Sequence, residues 1–263
     1  MKRKGIFALL LLSLAGDGTA DSTPAAFHRA QKSQPTLPVP GLSRAATLSR
    51  LLQAAQAGDS AAQAELGLLY ASGSAPFAQR DWQQALRWLE RAAQAGEPAA
   101  QTWLGYLYLN GLGMRPDTER GLYWCRRGSD GNHAPARFLI GYAYEHGRGL
   151  PRNTDLAAFW YRRAAEQGYA PAQNNLGTLH AAGRGVVQSY ARAAHWYLRA
   201  ASQGDAQAQA NLAALYERGN GVPQSLMLAL HWYRKAAAQG NDVARDGLRK
   251  LPGPVQDDNV ASK

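Results

Sequence analysis

Residues 172–204 read AQNNLGTLHAAGRGVVQSYARAAHWYLRAASQG, and this pattern returns along the chain at a fixed interval. Its tryptophan recurs every 36 residues, at Trp88, Trp124, Trp160, Trp196 and Trp232. A glycine in the column of Gly204 follows in nearly every copy, and Asn132 replaces it once. Since Asn is the best substitute for Gly in a left-handed helix cap, the period continues through that copy. The chain is therefore an array of repeats.

Each unit carries two helical patterns separated by a short loop. Leu176 and Leu179 share one face of the first helix, helix A, and Trp196 and Ala200 share one face of the second, helix B. The loop is Gly-X-Gly in four copies, whereas the first copy has Gly73-Ser74-Ala75-Pro76. Neither helix can bury its apolar face alone, so the copies must stack. The pattern predicts an all-α fold, a right-handed α/α solenoid of five 36-residue helix-turn-helix repeats with half-repeat caps.

An interior glycine recurs in helix A. It is present in four copies, as Gly67, Gly105, Gly141 and Gly177, and the fifth copy has Ala213. A glycine inside a helix costs roughly 1 kcal/mol relative to alanine. Its recurrence predicts that a neighbouring helix crosses closely at this position.

The segments outside the repeats have their own composition. Residues 1–20 combine a basic start with a short apolar run from Ile6 to Ala15, which predicts a cleaved signal peptide and a periplasmic location. We expect a flexible Pro-rich linker over 21–42, the solenoid over 43–251 and a disordered tail over 252–263. The apolar run is shorter than the ~20 residues that span a bilayer. Asp17 stands where a lipoprotein would need cysteine, so we expect no membrane span and no lipid anchor.

The chain is basic, with a formal net charge of +10 over 263 residues. For a secreted protein this charge favours an acidic protein, anionic lipid head groups or a cell-wall polymer as partner over nucleic acid. Charge alone does not choose among these three. Cys125 is the single cysteine of the sequence, so no intrachain disulfide can form.

These features resemble the Sel-one-like repeat family, whose members are relatives of tetratricopeptide repeats. The fourth copy carries the pattern as Ala172-Gln173-Asn174-Asn175-Leu176-Gly177, then Gly183-X-Gly185-Val186, then Ala194-His195-Trp196-Tyr197-X-X-Ala200-Ala201. The resemblance covers residues 43–251. It implies an adaptor: a curved helical stack that binds proteins and brings complexes together. A fold of this kind says little about chemistry.

Candidate chemistry is weak throughout the chain. The Gly-X-Gly loops lack the preceding strand of a dinucleotide site, so we expect no cofactor. His195 and His231 lie one whole repeat apart, and His180 takes a position that other copies fill with tyrosine, so we predict no metal site. Cys125 directly follows a repeat tryptophan, which favours a buried, inert thiol. No nucleophile and base pair stands out, and the sequence predicts a protein that is not an enzyme.

Two sets of columns are candidates for binding. Helix B carries a basic column, Arg91, Arg127, Arg163, Arg199 and Lys235, which is either a solvated outer face or an anion-binding stripe. Helix A has columns that vary between copies, as expected for the concave face of a solenoid. They hold the predicted partner contacts Trp103, Tyr106, Phe138, Tyr142, Asn174, Asn175 and Thr178. Packing between adjacent A helices is the competing interpretation for the aromatic residues.

The predicted function is non-catalytic binding of a protein partner in the periplasm. The resemblance implies, most concretely, an immunity-type inhibitor of a phospholipase effector of type VI secretion, so that the partner is a secreted toxin. One alternative is an envelope assembly adaptor for peptidoglycan, motor or polysaccharide machinery. Another is a hydrolase that interacts with β-lactams, although relatives linked to β-lactams carry paired cysteines that this chain lacks. We expect no nucleic-acid partner and no stable membrane insertion.

Overall fold

The computed structural model describes residues 44–73 and 80–251, and this part of the chain forms twelve α-helices and no strand. The helices are α1 (Arg44–Gln56), α2 (Ser60–Ser72), α3 (Trp82–Gln94), α4 (Pro98–Asn110), α5 (Thr118–Asp130), α6 (Ala134–His146), α7 (Thr154–Glu166), α8 (Ala170–Ala182), α9 (Tyr190–Ser202), α10 (Ala206–Arg218), α11 (Leu226–Ala238) and α12 (Asp242–Lys250). Each helix packs mainly against its predecessor and successor. The predicted all-α solenoid is confirmed.

The even-numbered helices α2 to α10 are the A helices of the five repeats, and the odd-numbered helices α3 to α11 are the B helices. Helix α1 precedes the first A helix and α12 follows the last B helix. The predicted signal peptide, linker and C-terminal tail lie outside the described residues, as do Ser74, Ala75 and Pro76 of the first loop.

Every B helix begins at a side chain that caps it. The capping oxygen accepts a hydrogen bond from the backbone N–H three residues later, at 2.9 to 3.3 Å. The capping residues are Asp81, Asp117, Asn153, Ser189 and Ser225. Such caps satisfy one of the free N–H groups of the first turn. The start of each B helix is thus set by one residue at the repeat interval.

Left-handed residues end the helices. The five A helices stop at Gly73, Gly111, Gly147, Gly183 and Gly219, whose φ angles lie between 64° and 70°. In the column of Gly204, Asn132 has φ 62° and is the one non-glycine residue with positive φ in the described ranges. The prediction that Asn132 replaces glycine in this cap is confirmed.

The interior glycines of the A helices bring helix B into close contact. A Cβ added to Gly141 would lie 2.8 Å from the ring of Tyr161, and one added to Gly177 would lie 2.7 Å from the ring of Tyr197. In the second repeat, a Cβ on Gly105 would lie 2.6 Å from the sulfur of Cys125. These contacts are shorter than real Cβ atoms make, so the predicted close crossing is confirmed.

Glutamine side chains join successive repeats. The side-chain amide of a glutamine in the first turn of helix A donates to a backbone carbonyl at the end of the preceding B helix, or of α1 for the first repeat, at 3.0 to 3.1 Å. The glutamines are Gln63, Gln101, Gln173 and Gln209. The third repeat has Arg137 in this column, and its guanidinium donates to Gln167 of the same repeat at 2.7 Å. The glutamine bonds satisfy buried polar groups at the other four junctions.

Candidate protein-binding surface

The A helices carry little charge. Their charged residues are Glu65, Arg137, Glu145, Glu217 and Arg218. The seven predicted partner contacts all lie on α4, α6 and α8, in three columns of the repeat. A surface built from these helices therefore offers aromatic edges and amides more than charge.

The structure corrects the prediction for Trp103 and Phe138, because both side chains are 0% exposed. Trp103 packs edge-on against Tyr106, with ring centroids 5.8 Å apart. Phe138 lies between Tyr161 and Tyr169, with centroids 5.5 and 5.4 Å away. These large rings fill the space between neighbouring repeats, and burial of so much apolar area outweighs exposure. Neither residue belongs to an accessible surface.

Tyr106 and Tyr142 lie at the boundary of the core. Their side chains are 6% and 9% exposed, and burial raises the pKa of Tyr106 to about 12. Tyr142 stacks on the exposed ring of His146 with a centroid distance of 4.0 Å. The guanidinium of Arg148 lies 6.0 Å from the Tyr142 ring centroid. That these two tyrosines contact a partner stays a prediction.

Arg148 also links two repeats. It is the middle residue of a Gly-X-Gly loop, and its guanidinium donates to the carbonyl of Leu109 at 3.1 Å and to Oδ1 of Asn110 at 3.4 Å. A cation at the end of helix α4 is favoured by the helix dipole. Arg148, His146 and Asn110 were not predicted from the sequence as partner contacts. A comparison of the loop residues X between copies would have indicated the arginine.

The predicted amide positions form a connected polar patch on α8 and α10. Asn174 accepts from Nδ2 of Asn211 at 3.0 Å and donates to Oδ1 of Asn175 at 3.3 Å. The hydroxyl of Thr178 lies 3.1 Å from both the carbonyl of Asn174 and the hydroxyl of Tyr197. Asn174 is buried, whereas Asn175, Thr178 and Asn211 are half-buried.

We give the name A-helix surface to the partly exposed side chains of these helices and the adjoining loop, with Asn110, His146, Arg148 and the edge of the largely buried Tyr142 on one side and Asn175, Thr178 and Asn211 on the other. It passes from an aromatic and cationic region in the second and third repeats to an amide-lined region in the fourth and fifth. Asn174 supports this surface from beneath. Asn211 was not predicted from the sequence, although it lies in the same column of the repeat as Trp103 and Asn175.

Reactive groups are inert where the structure places them. Cys125 is buried, and burial raises the pKa of its thiol to about 12, so it is a neutral thiol at neutral pH. Within residues 44–73 and 80–251, no three His, Cys, Asp or Glu side chains come together as a metal site would require. His180 is buried, as a packing residue would be. In the same ranges, every helix is too short or too polar to cross a membrane.

Stacked helix pairs with a variable A-helix surface define a repeat protein that binds other proteins. The Sel1 repeat model matches residues 60–97, 98–133, 134–169, 170–205 and 206–241, and this chain belongs to the Sel1 repeat family. The family is in general a non-catalytic scaffold for protein–protein interaction. The predicted family is confirmed.

Solved structures share this fold. A Sel1 repeat protein from Oxalobacter formigenes is 34% identical, with a TM-score of 0.71, over 79% of this chain and 60% of its own. The protein c5321 of uropathogenic Escherichia coli, described as a protective antigen, is 33% identical, with a TM-score of 0.66, over 75% of this chain and 42% of its own. The chain thus spans less than two thirds of the length of either relative.

A third structure is more distant. Immunity protein Pa5087 from Pseudomonas aeruginosa is 20% identical, with a TM-score of 0.54, over 82% of this chain and 83% of its own. At this identity the likeness concerns the fold alone. None of the curated proteins compared with this chain matches it.

Proposed function

We propose that this chain binds another protein in the periplasm through the A-helix surface, without catalysis of its own, and that it is an immunity-type inhibitor of a type VI secretion phospholipase. The observation that carries the binding role is the change along that surface, from Tyr142 and His146 to the half-buried amides of Asn175 and Asn211. A surface that offers an aromatic edge together with amides already held by hydrogen bonds can bind a loop of another protein.

The inhibitor would act by occlusion. The hydrogen bonds among Asn174, Asn175 and Asn211 hold the amides in place before a partner arrives, so little side-chain entropy is lost on binding. Arg148, already held by Leu109 and Asn110, offers one cation beside the Tyr142 ring. A partner covered along these repeats would have its active site or its approach to the bilayer blocked.

The immunity form of the proposal has two supports. Pa5087 and PA5088 of Pseudomonas aeruginosa, which have this fold, are named immunity proteins. The predicted signal peptide would deliver the chain to the compartment where a phospholipase effector meets the membrane. The second candidate, an envelope assembly adaptor, is supported equally by the protein-binding fold.

The test is capture from native periplasm on the mature chain, followed by a phospholipase assay of the captured protein with and without excess chain. We expect one phospholipase to bind and to lose activity. Asn175→Lys places a charge in the amide region and should abolish capture. The control Gln94→Lys adds the same charge at an exposed position of a B helix and should have no effect.

Other outcomes contradict the proposal. Capture of peptidoglycan enzymes or motor proteins would make the chain an envelope adaptor. Equal capture by Asn175→Lys and Gln94→Lys would exclude the A-helix surface. Hydrolysis of a chromogenic β-lactam by the pure chain would indicate the hydrolase alternative.

A further inference from the structure

The exposed large apolar side chains collect on the B helices. Leu156, Phe159 and Met227 are 39%, 49% and 76% exposed. The others on B helices are Tyr123, Tyr190, Leu198, Leu226 and Leu228, and only Val187 and Val243 lie elsewhere among the described residues. Soluble proteins expose single apolar residues commonly, but a group of them on one face marks an interaction site, and Tyr123, Leu156, Phe159 and Leu228 share a face of the B helices.

One face of the B helices also carries a large group of positive charges. Three columns, at positions i, i+3 and i+7 of each B helix, lie on one side of the helix. The first column holds Gln84, Arg120, Leu156, Arg192 and Leu228, and the middle column holds Arg87, Tyr123, Phe159, His195 and His231. The third is the basic column of Arg91, Arg127, Arg163, Arg199 and Lys235. We call these three columns together the B-helix face.

No acidic residue interrupts the B-helix face. Its columns contain eight Lys or Arg side chains and no Asp or Glu. In the described part of the chain, four ion pairs form, and of the eight cations only Arg120 takes part, with Asp117. The basic column is therefore exposed to solvent without an acidic partner in the described structure.

Tryptophan rings hold the basic column in position. The cations of Arg91 and Lys235 each lie 4.9 Å from the centroid of a repeat tryptophan, and Arg199 lies 5.2 Å away. Aromatic or imidazole rings of the middle column contact the same tryptophans edge-on, as Phe159 does to Trp160 at 5.4 Å. Cation–π contact fixes each charge beside apolar surface while the charge stays hydrated.

We propose that the B-helix face docks on the surface of an anionic lipid bilayer. Cations beside exposed aromatic and aliphatic side chains are the combination by which proteins bind the interface of a membrane: charge attracts anionic head groups, and apolar side chains enter the acyl boundary. A nucleic acid or acidic polymer would recognise the cations but gives no role to the exposed side chains of Phe159 and Leu156. Charge complementarity and exposed apolar area together favour lipid. The proposal does not depend on the proposed function of the A-helix surface.

Vesicles test this directly. The mature chain is mixed with vesicles of phosphatidylcholine alone, or of phosphatidylcholine with phosphatidylglycerol, and bound protein is measured by sedimentation. We expect binding to the phosphatidylglycerol vesicles only, weakening as salt is added. Lipids brominated on the acyl chain should quench tryptophan emission, because the five repeat tryptophans lie beside the docking face.

Charge variants locate the site. Arg127→Gln with Arg163→Gln and Arg199→Gln should weaken partitioning by about a hundredfold at low salt, since each cation near the surface contributes several-fold. The control Arg115→Gln with Arg152→Gln and Arg218→Gln removes the same charge from exposed positions off this face. It should weaken partitioning less than about fivefold, through long-range attraction alone.

Apolar variants separate lipid from other anions. Phe159→Ser with Leu228→Ser should remove quenching by brominated lipid and weaken vesicle binding, with the helical circular dichroism unchanged because both side chains are exposed. Equal losses in the two charge triples, equal binding to neutral vesicles, no vesicle binding, or sedimentation without quenching would each overturn the proposal. Heparin binding as tight as vesicle binding and indifferent to the apolar variant would show a polyanion site instead.

Discussion

The carboxylate of Glu145 accepts a hydrogen bond from the buried hydroxyl of Tyr161 at 2.7 Å. The same carboxylate pairs with Arg184 of the following repeat at 3.1 Å. Burial, with the nearby Glu145 charge, raises the pKa of Tyr161, so its hydroxyl stays a neutral donor. In the fifth repeat Glu217 accepts from Tyr233 at 2.7 Å in the same way. Glu145 thus links helices A and B of its own repeat and also binds the following repeat.

Removal of this acid should destabilise the array. Glu145→Ala leaves the Tyr161 hydroxyl buried without its acceptor, and we expect the free energy of unfolding to fall by about 1–3 kcal/mol. Arg184→Gln removes the half-buried cation of the pair but keeps the tyrosine bond, and should cost about 1 kcal/mol or less. Urea denaturation of the two variants gives the comparison. An equal loss in both would show that the ion pair, and not the tyrosine bond, stabilises the junction.

The close crossing at Gly141 should not accept a methyl group. Gly141→Ala places a Cβ against the Tyr161 ring and near the Ala157 carbonyl, at 2.8 and 3.3 Å, so the helices must separate. Overpacking lowers the free energy of unfolding by about 1–3 kcal/mol. The better helix propensity of alanine offsets about 1 kcal/mol of this loss. Ala213→Gly, in the repeat that already has alanine, should lose about 1 kcal/mol from propensity alone. A chemical denaturation midpoint for Gly141→Ala above that of the parent chain would contradict the crossing.

Stability should fall in mild acid because of His133. Burial lowers the pKa of this imidazole from 6.5 to about 4, and its Nδ1 lies 2.7 Å from the Thr102 hydroxyl. Between these pH values the unfolded chain binds a proton that the folded chain does not bind, so the free energy of unfolding decreases as the pH falls. Burial lowers the pKa of His180 as well, which adds to this effect. Urea midpoints at neutral pH and near the lowered pKa should differ less in His133→Gln than in the parent; an unchanged difference would argue against this assignment.

Trp103 should behave as a core residue. Trp103→Ala should cost about 3–5 kcal/mol by opening a cavity between α4 and its neighbours. Trp103→Phe keeps much of the ring and removes an indole N–H that has no hydrogen-bond partner, so it should cost less than about 1.5 kcal/mol. Thermal denaturation followed by circular dichroism measures both. A small loss in Trp103→Ala would mean that the side chain contributes little to packing.

Features confined to one repeat were predictable from the sequence. The period predicted the helix pairs, the crossing at the interior glycines and the left-handed Asn132, because each depends on one residue and its nearest neighbours. The glutamine bonds between repeats were not predicted, since their acceptors are backbone carbonyls that no side-chain pattern displays.

The sequence did not predict which side chains of the variable A-helix columns are buried. Phe138 is covered partly by Tyr169, the N-cap residue of the A helix in the next repeat, and no pattern within one helix shows that contact. Asn175 shares a column with Trp103 but is only half-buried. Accessibility in such a column therefore depends on the side chains of two adjacent units together.

The glutamine junctions also bear on how such a protein changes in evolution. Gln101, Gln173 and Gln209 make the same bond to the preceding B helix, so the contacts between units are interchangeable. A duplicated unit of 36 residues would meet compatible partners on both sides, and a deleted one would leave its neighbours able to rejoin. Recombination within the gene can thus lengthen or shorten the surface offered to a partner while the hydrogen bonds between neighbouring repeats are kept.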